Sequence, residues 1–312
     1  MAGRNFGPTR RTQRGIALVL VLWIALALTL IGSVMSSSLQ REARATGDIL
    51  AAAQARQAAR AGVSRGLVHL RNLDIADIRR LALAGTAGEW HHFTLGDLDV
   101  RYRFFGELGR LDLNRADRDL LQGLLLAVGV DGARADMLTD NLLDWRDRSP
   151  ETRLHGTSPE AYAAIGLPEG RRDGDFESIE ELQQVAGFTA EIFRRLAPHV
   201  TVHTGGRRPA PEYASAQVLA AHRSVDMDFA EAWVRDRRTV VLEGAGRVPP
   251  FPGGGARGGI TSVFGLEAVA GDGLSARAHI EVVFDLRAGE RLPITLLEWR
   301  EPPIWPPAPG SS

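Results

Sequence analysis

Few residues in this 312-residue chain have both the types and the spacing that catalysis requires. Gly253, Gly255 and Gly258 have the glycine spacing of a dinucleotide-binding loop, but a proline-rich stretch precedes them where such a loop needs a strand. His91 and His92 have no third ligand at metal-binding spacing, so we interpret them as the polar end of a strand. The serines lack a G-x-S-x-G elbow, and the absence of cysteine excludes thiolate metal sites and cysteine nucleophiles. We therefore predict that the protein is not an enzyme.

One short segment could approach a phosphate group. Residues 181–188, ELQQVAGF, resemble the turn of a helix-hairpin-helix, whose backbone amides can face a nucleic-acid backbone. Acidic residues surround this turn, and the whole chain carries 37 basic against 38 acidic residues, which is not the basic balance of a nucleic-acid-binding protein. We therefore predict that the hairpin packs helices, and we expect neither a nucleic-acid partner nor a small-molecule substrate.

The most pronounced element in the sequence is an uncharged segment at residues 16–39, directly preceded by Arg10, Arg11 and Arg14. As a helix it would span about 36 Å, which exceeds the roughly 30 Å of a bilayer core. The positive-inside rule places the N-terminus in the cytoplasm and the bulk of the chain across the membrane. A cleaved secretory signal fits less well because the apolar run is too long, whereas a plain signal anchor remains open.

The helical pattern continues beyond this apolar segment. The following residues recur at intervals of three and four, as on one face of a helix: Ile49, Ala53, Arg56, Ala59, Val63, Leu67 and Leu70. The sequence therefore predicts one helix from about Ile16 to about Leu73.

The remainder of the chain alternates between the two structural periods. Residues 98–104 alternate apolar with charged residues and predict a half-buried strand. Residues 117–200 have the apolar spacing of helices. Helices are predicted again within 213–222 and 228–237, and strands at 262–270, 276–286 and 292–299.

The N-terminal region resembles that of type IV pilins and pseudopilins. The likeness lies in a short basic leader ending in Gly15, followed by an apolar helix that runs into an amphipathic one. The resemblance implies that a prepilin peptidase cuts between Gly15 and Ile16. Leu20 then stands at the fifth mature position, where most of these proteins carry a glutamate that can pair with a neighbouring subunit. A subunit without this carboxylate suits the end of a filament, as in the K-type minor pseudopilins of type II secretion systems.

Further similarity to the K-type family occurs in order along the chain. Its four most informative positions are the helical-domain motif Asp112, Asn114, Trp145 and Gly187. These positions lie within LDLN at 111–114, DW at 144–145 and the stretch FESIEEL with Val185 and Gly187. Two segments depart from the family: residues 205–211 lack its asparagines, and the acidic stretch after Trp145 is depleted.

The resemblance implies an α+β fold. A long N-terminal helix, transmembrane and then amphipathic, would lie on a pilin-like antiparallel sheet that is interrupted by an inserted, mostly helical domain. The implied ranges are a leader at 1–15, a transmembrane helix at 16–39, a first part of the pilin-like core at 40–107, the inserted domain at 108–200, a second part of the core at 201–299 and a proline-rich tail at 300–312.

The function implied by the resemblance is that of a tip subunit in the periplasmic pseudopilus, which supports the export of folded proteins across the outer membrane. The protein would cross the inner membrane once, with its N-terminus cytoplasmic and its bulk periplasmic. Its partners would be the minor pseudopilins I and J, the prepilin peptidase and inner-membrane lipid. An alternative from another class is a single-pass, membrane-anchored periplasmic binding module that uses the helix-hairpin-helix-like element.

Calcium is the one cofactor that the resemblance implies, within the helical domain. The candidate ligands are Asp144, Asp147, Glu151 and Glu160. Calcium requires six to eight oxygen ligands, and Arg146, Arg148 and Arg153 are interleaved with the acids. The low net charge favours an ordinary solvated loop, with calcium as the alternative.

Overall fold

The computed structural model describes residues 14–71, 73–149, 151–164, 172, 174–244, 248, 250–252, 262–272, 276–286 and 294–302, with side chains for all of these except 14–18, 31–45 and 159. Two compact units are distinguished, residues 1–54 and 55–312. Residues 1–13 of the predicted leader and most of the predicted proline-rich tail lie outside the described residues.

Helix α1 is a single element from Arg14 to Leu70, which confirms the predicted continuous helix. Its large apolar side chains within 19–30 are all at least half exposed. Among the residues whose side chains are described, no helix offers an apolar stretch of the length that a membrane crossing needs. Residues 16–18 and 31–39 of the predicted transmembrane segment have no described side chains, and the spanning role stays a prediction.

The main sheet has five antiparallel strands in the order β1-β2-β5-β6-β7. These are β1 (His91–Leu95), β2 (Leu98–Gly106), β5 (Val263–Gly271), β6 (Ala276–Leu286) and β7 (Ile294–Arg300). The predicted strands at 98–104, 262–270, 276–286 and 292–299 are therefore present, with small shifts at their ends. His91 and His92, which the sequence predicted to be the polar end of a strand, are the first two residues of β1.

The sheet packs against residues 55–70 of α1 and against α2 (Ile75–Thr86). Helix α2 was not predicted from the sequence. The Asp74 side chain accepts a hydrogen bond from the Asp77 amide at 2.8 Å and thereby begins α2. Alternate residues of β2, Val100, Tyr102 and Phe104, are buried in this core. The apolar and charged residues of β2 alternate because one face of the strand packs against the helices.

A second core is built by the helical domain. Its helices are α3 (Arg118–Ala127), α4 (Gly132–Arg146), α5 (Pro159–Ala164) and α6 (Ala190–Leu196), with 3₁₀ turns at Glu107–Gly109, Ile179–Gln184 and Ala197–His199. A short parallel pair, β3 (Leu111–Asp112) and β4 (Val200–Thr201), joins the beginning and the end of this domain. Residues of α7 (Ala216–Ala220) and α8 (Met227–Glu243) extend the same core past residue 200.

Candidate functional site

Residues of the predicted helical-domain motif form hydrogen bonds between distant segments of the domain. Asp112 is buried at the end of β3, and its Oδ1 accepts a hydrogen bond from the Asn114 amide at 2.9 Å. Its Oδ2 accepts from the Thr204 hydroxyl at 3.0 Å and from the Gly205 amide at 2.7 Å. Asp112 therefore ties the entry of the domain to its exit across more than 90 residues of chain.

Asn114 performs a similar task toward the middle of the domain. Its Nδ2 donates to the carbonyl of Phe176 at 2.9 Å, and its Oδ1 accepts from the Phe176 amide at 2.7 Å. The Phe176 ring in turn stacks on buried Trp145, with ring centroids 6.3 Å apart. The structure thus brings Asn114 and Trp145 to the same partner, Phe176, 62 residues after Asn114.

Gly187 lies in the hairpin that resembles a helix-hairpin-helix. Its φ of +86° is in the left-handed region, and a Cβ there would lie 2.8 Å from Met137 Cε. Groups of the preceding residue are already used inside the domain, because the Ala186 carbonyl accepts from Asn141 at 2.9 Å and its amide donates to Tyr162 at 3.2 Å. This geometry favours the packing interpretation of the hairpin over the phosphate-binding one.

The candidate calcium ligands lie in and after α4. Asp144 is buried, Asp147 ends the helix, and Glu151 and Glu160 are exposed. Arg153 contacts both aspartates: Nη1 pairs with Asp144, and Nη2 lies 2.9 Å from Asp147 Oδ2. Among the residues with described positions, no three acidic or histidine side chains come together as a metal site. The residues present therefore do not fit a calcium ion, because an arginine stands between the carboxylates.

An ion-pair network missed by the sequence analysis joins the helical domain to the sheet. Arg110 Nη1 lies 2.6 Å from Glu281 on β6 and 3.5 Å from Glu107, which is fully buried. Burial raises the pKa of Glu107, although Arg110 opposes that rise. Glu281 Oε1 also forms an ion pair with Arg300 of β7, whose Nη2 lies 2.7 Å away.

The network continues through His203, which follows β4 and whose Nε2 lies 2.8 Å from Glu298 on β7. The signal available in the sequence was a charged residue within each apolar strand, such as Glu281 in HIEVVF. Nothing in the sequence identified the partners, because 171 residues separate Arg110 from Glu281.

The predicted peptidase site lies at the beginning of α1. Gly15 and Ile16 occupy its first turn, and the Ile16 side chain is not among the described side chains. Leu20, at the predicted fifth mature position, is exposed. Cleavage between Gly15 and Ile16 stays a prediction.

Comparison with known proteins finds a family model that matches the helical domain. Residues 107–205 match the family model described as type II secretion system (T2SS), protein K. The first and last residues of this match, Glu107 and Gly205, take part in the ion-pair network and in the Asp112 contacts described above.

Relatives named type II secretion system protein K are found in several bacteria. The protein of Aeromonas hydrophila is 30% identical over 215 residues, which are 62% of this chain and 64% of that protein. The protein of Klebsiella pneumoniae is 27% identical over 203 residues, 60% of this chain and 62% of that protein. The chain thus spans slightly under two thirds of the length of these relatives.

A solved structure shares the fold. It is a chain of the GspK-GspI-GspJ complex from the type 2 secretion system of enterotoxigenic Escherichia coli, with a TM-score of 0.54 and 14% identity over 80% of this chain and 96% of that chain. The mixed helical and antiparallel fold is therefore shared with a chain of that complex. Residues 107–205 therefore match the model of the protein K family, and the chain is similar to type II secretion system K proteins over somewhat less than two thirds of its length.

Proposed function

We propose that this protein is the K-type minor pseudopilin of a type II secretion system, located at the tip of the periplasmic pseudopilus that supports export of folded proteins across the outer membrane. The observation that carries the proposal is the K-family domain at 107–205, inserted into an antiparallel sheet that packs on a long N-terminal helix. The matched family model describes a component of a type II secretion system, and a structural rather than a catalytic role is part of this proposal.

Helix α1 is the assembly element in this proposal. Its apolar residues 16–39 would be stored in the inner membrane, with the N-terminus in the cytoplasm, until neighbouring helices cover them in the filament. Covering about 1,000 Å² of apolar surface at about 25 cal/mol/Å² corresponds to roughly 25 kcal/mol in water, an upper figure because lipid already shields the helix. The helix would therefore leave the bilayer only for another apolar environment.

The tip position follows from two features. Leu20 provides no carboxylate for an intramembrane pair with a subunit placed above it. The helical domain adds a second core to the pilin-like sheet, which makes the subunit bulkier than a mid-filament position suits. The neighbours in this arrangement would be the minor pseudopilins I and J, the partners named with the K protein in the similar structure.

Edge strand β7 is a candidate contact surface for these partners. Its apolar residues Ile294, Leu296, Leu297 and Trp299 are between 38% and 55% exposed. The strand lies at one edge of the sheet, where its outer backbone groups are available to a neighbour.

The proposal is tested by co-expressing the full chain with its I and J pseudopilins and its prepilin peptidase, followed by purification in detergent. We expect a stable three-subunit complex in which sequencing of this chain begins at Ile16. Gly15→Leu should block cleavage and abolish secretion, whereas Gly3→Leu, a matched change within the leader, should leave both intact.

Two results would contradict the proposal. Retention of Met1 in the mature protein supports the alternative of an anchored binding module. A correctly cleaved chain that stays separate from I and J under matched conditions rules out the tip position.

A further inference from the structure

The loop that follows α4 is held by a row of buried polar side chains on that helix. Asp140, Asn141 and Asp144 are all at most 2% exposed, and all three point toward residues 153–157. Buried carboxylates of this kind require compensation by a cation or by several hydrogen-bond donors.

Arg153 provides compensation of both kinds to Asp144. The Arg153 amide donates to Asp144 Oδ2 at 3.1 Å, while its Nη1 pairs with Oδ1 of the same carboxylate. The other arm of the guanidinium, Nη2, lies 2.9 Å from Asp147 Oδ2. Burial opposes the charge on Arg153, but its hydrogen bonds to Asp144 and Asp147 raise the pKa of the guanidinium. Arg153 therefore stays cationic while it bridges two carboxylates.

The next residues of the loop repeat the attachment. The His155 amide and Nδ1 both lie 3.1 Å from Asp140 Oδ2, and the Thr157 amide donates to Asn141 Oδ1 at 2.6 Å. Between them, a Cβ at Gly156 would stand only 2.2 Å from Asp144 Oδ2, so only glycine allows this approach. Leu154, in contrast, is 90% exposed and takes no part in the attachment.

We propose that the Arg153 guanidinium takes the place of a calcium ion in this domain, so that the loop after α4 folds without metal. A guanidinium spans two carboxylates with fixed, directional donors, as a divalent ion would do with coordination bonds. A calcium ion would need six to eight oxygens, and the oxygens of Asp144 and one oxygen of Asp147 are already engaged by Arg153. A second cation in contact with the same carboxylates would be repelled by the guanidinium.

The test measures calcium binding and loop protection on the full chain in detergent. Titration of the wild-type protein with calcium chloride should show no saturable heat, and amide exchange at residues 153–157 should be the same in calcium and in EDTA. In Arg153→Gln, the buried carboxylate of Asp144 loses its cation, so exchange in the loop should accelerate by about tenfold or more. Leu154→Ser is the matched control beside it and should exchange as the wild type does.

A milder variant keeps the test valid if Arg153→Gln does not fold. Asp147→Asn removes only the charge of the outer, partly exposed partner of Arg153, and we expect a smaller acceleration of about threefold, which is within the free energy typical of a single exposed ion pair. Stoichiometric calcium binding by the wild type, or protection of the loop that depends on calcium, would overturn the proposal. So would unchanged exchange in whichever of the two variants folds.

Discussion

At the scale of single residues, polar side chains in the helical domain fix positions rather than perform reactions. Asp112, Asn114 and Asn141 each bind backbone groups far away in sequence, and each is hydrogen-bonded inside the domain. Such side chains are costly to bury unless paired, and once paired they select one arrangement of the chain. The motif that resembles the K-type family is therefore understandable as a set of internal fasteners.

Asn114 provides the most direct test of this role. Asn114→Ala would leave the amide and the carbonyl of buried Phe176 without their partner, so we expect a loss of about 2 kcal/mol in the free energy of unfolding, measured in urea. Gln183→Ala, at an exposed position of the same domain, should change stability by less than about 0.5 kcal/mol. Equal effects of the two changes would show that Asn114 is not a fastener.

At the scale of elements, local patterns predicted the structure well and long-range partners could not be predicted. The helical period from Ile49 to Leu70 and the alternation at 98–104 are local, and the structure confirms both elements. Helix α2 was missed although its sequence has a cap at Asp74 and apolar residues Ile75, Ile78 and Ala82 at helical spacing, because these signals follow directly on a longer helical pattern. The Arg153 bridge was missed because its formation depends on a loop returning to the helix that precedes it. From the sequence, Arg153 was expected only to lower the net negative charge of a calcium site. Its proposed position between Asp144 and Asp147, in place of the ion, could not be predicted.

Helix α1 contains two glycines whose surroundings differ enough to give opposite predictions. A Cβ at Gly62 would lie 2.9 Å from Val100 Cγ1. A Cβ at Gly47 would have no described atom within 4 Å apart from the backbone of its own helix. We expect Gly62→Leu to destabilise the sheet core by about 3 kcal/mol, since the helix must move away from β2. Gly47→Ala should instead stabilise the helix by up to about 1 kcal/mol. Urea unfolding of both variants distinguishes the two outcomes, and tolerance of leucine at 62 would contradict the close packing of α1 on β2.

At the scale of the whole described molecule, stability depends on how the helical domain is joined to the sheet. Charged groups accumulate at this junction, where Arg110 lies between Glu107 and Glu281. His199 lies at the end of the helical domain, with its Nδ1 2.9 Å from the Ser215 hydroxyl. Burial, with a smaller contribution from the charge of Arg110, lowers the pKa of His199 to about 4. The junction therefore holds a histidine that resists protonation.

This histidine predicts a specific pH dependence. Because its pKa is depressed from 6.5 in the folded state, the unfolded chain binds the proton first, and the stabilisation present above pH 6.5 is lost as the pH falls toward 4. A shift of this size corresponds to roughly 3 kcal/mol between those limits. His199→Gln should flatten the fall in unfolding free energy measured by urea titration between pH 6.5 and 4.5, a window above the ordinary pKa of 4.5 near which the stabilisation by the sheet carboxylates Glu267 and Glu281 begins to be lost. Burial also lowers the pKa of His91 and His222, which adds slope of the same sign, whereas the raised pKa of Glu107 adds slope of the opposite sign, so the test is the difference in slope between the variant and the wild type. His92→Gln, at an exposed position, should keep the wild-type slope, and if His199→Gln keeps it as well, the junction does not hold a partly buried, neutral histidine.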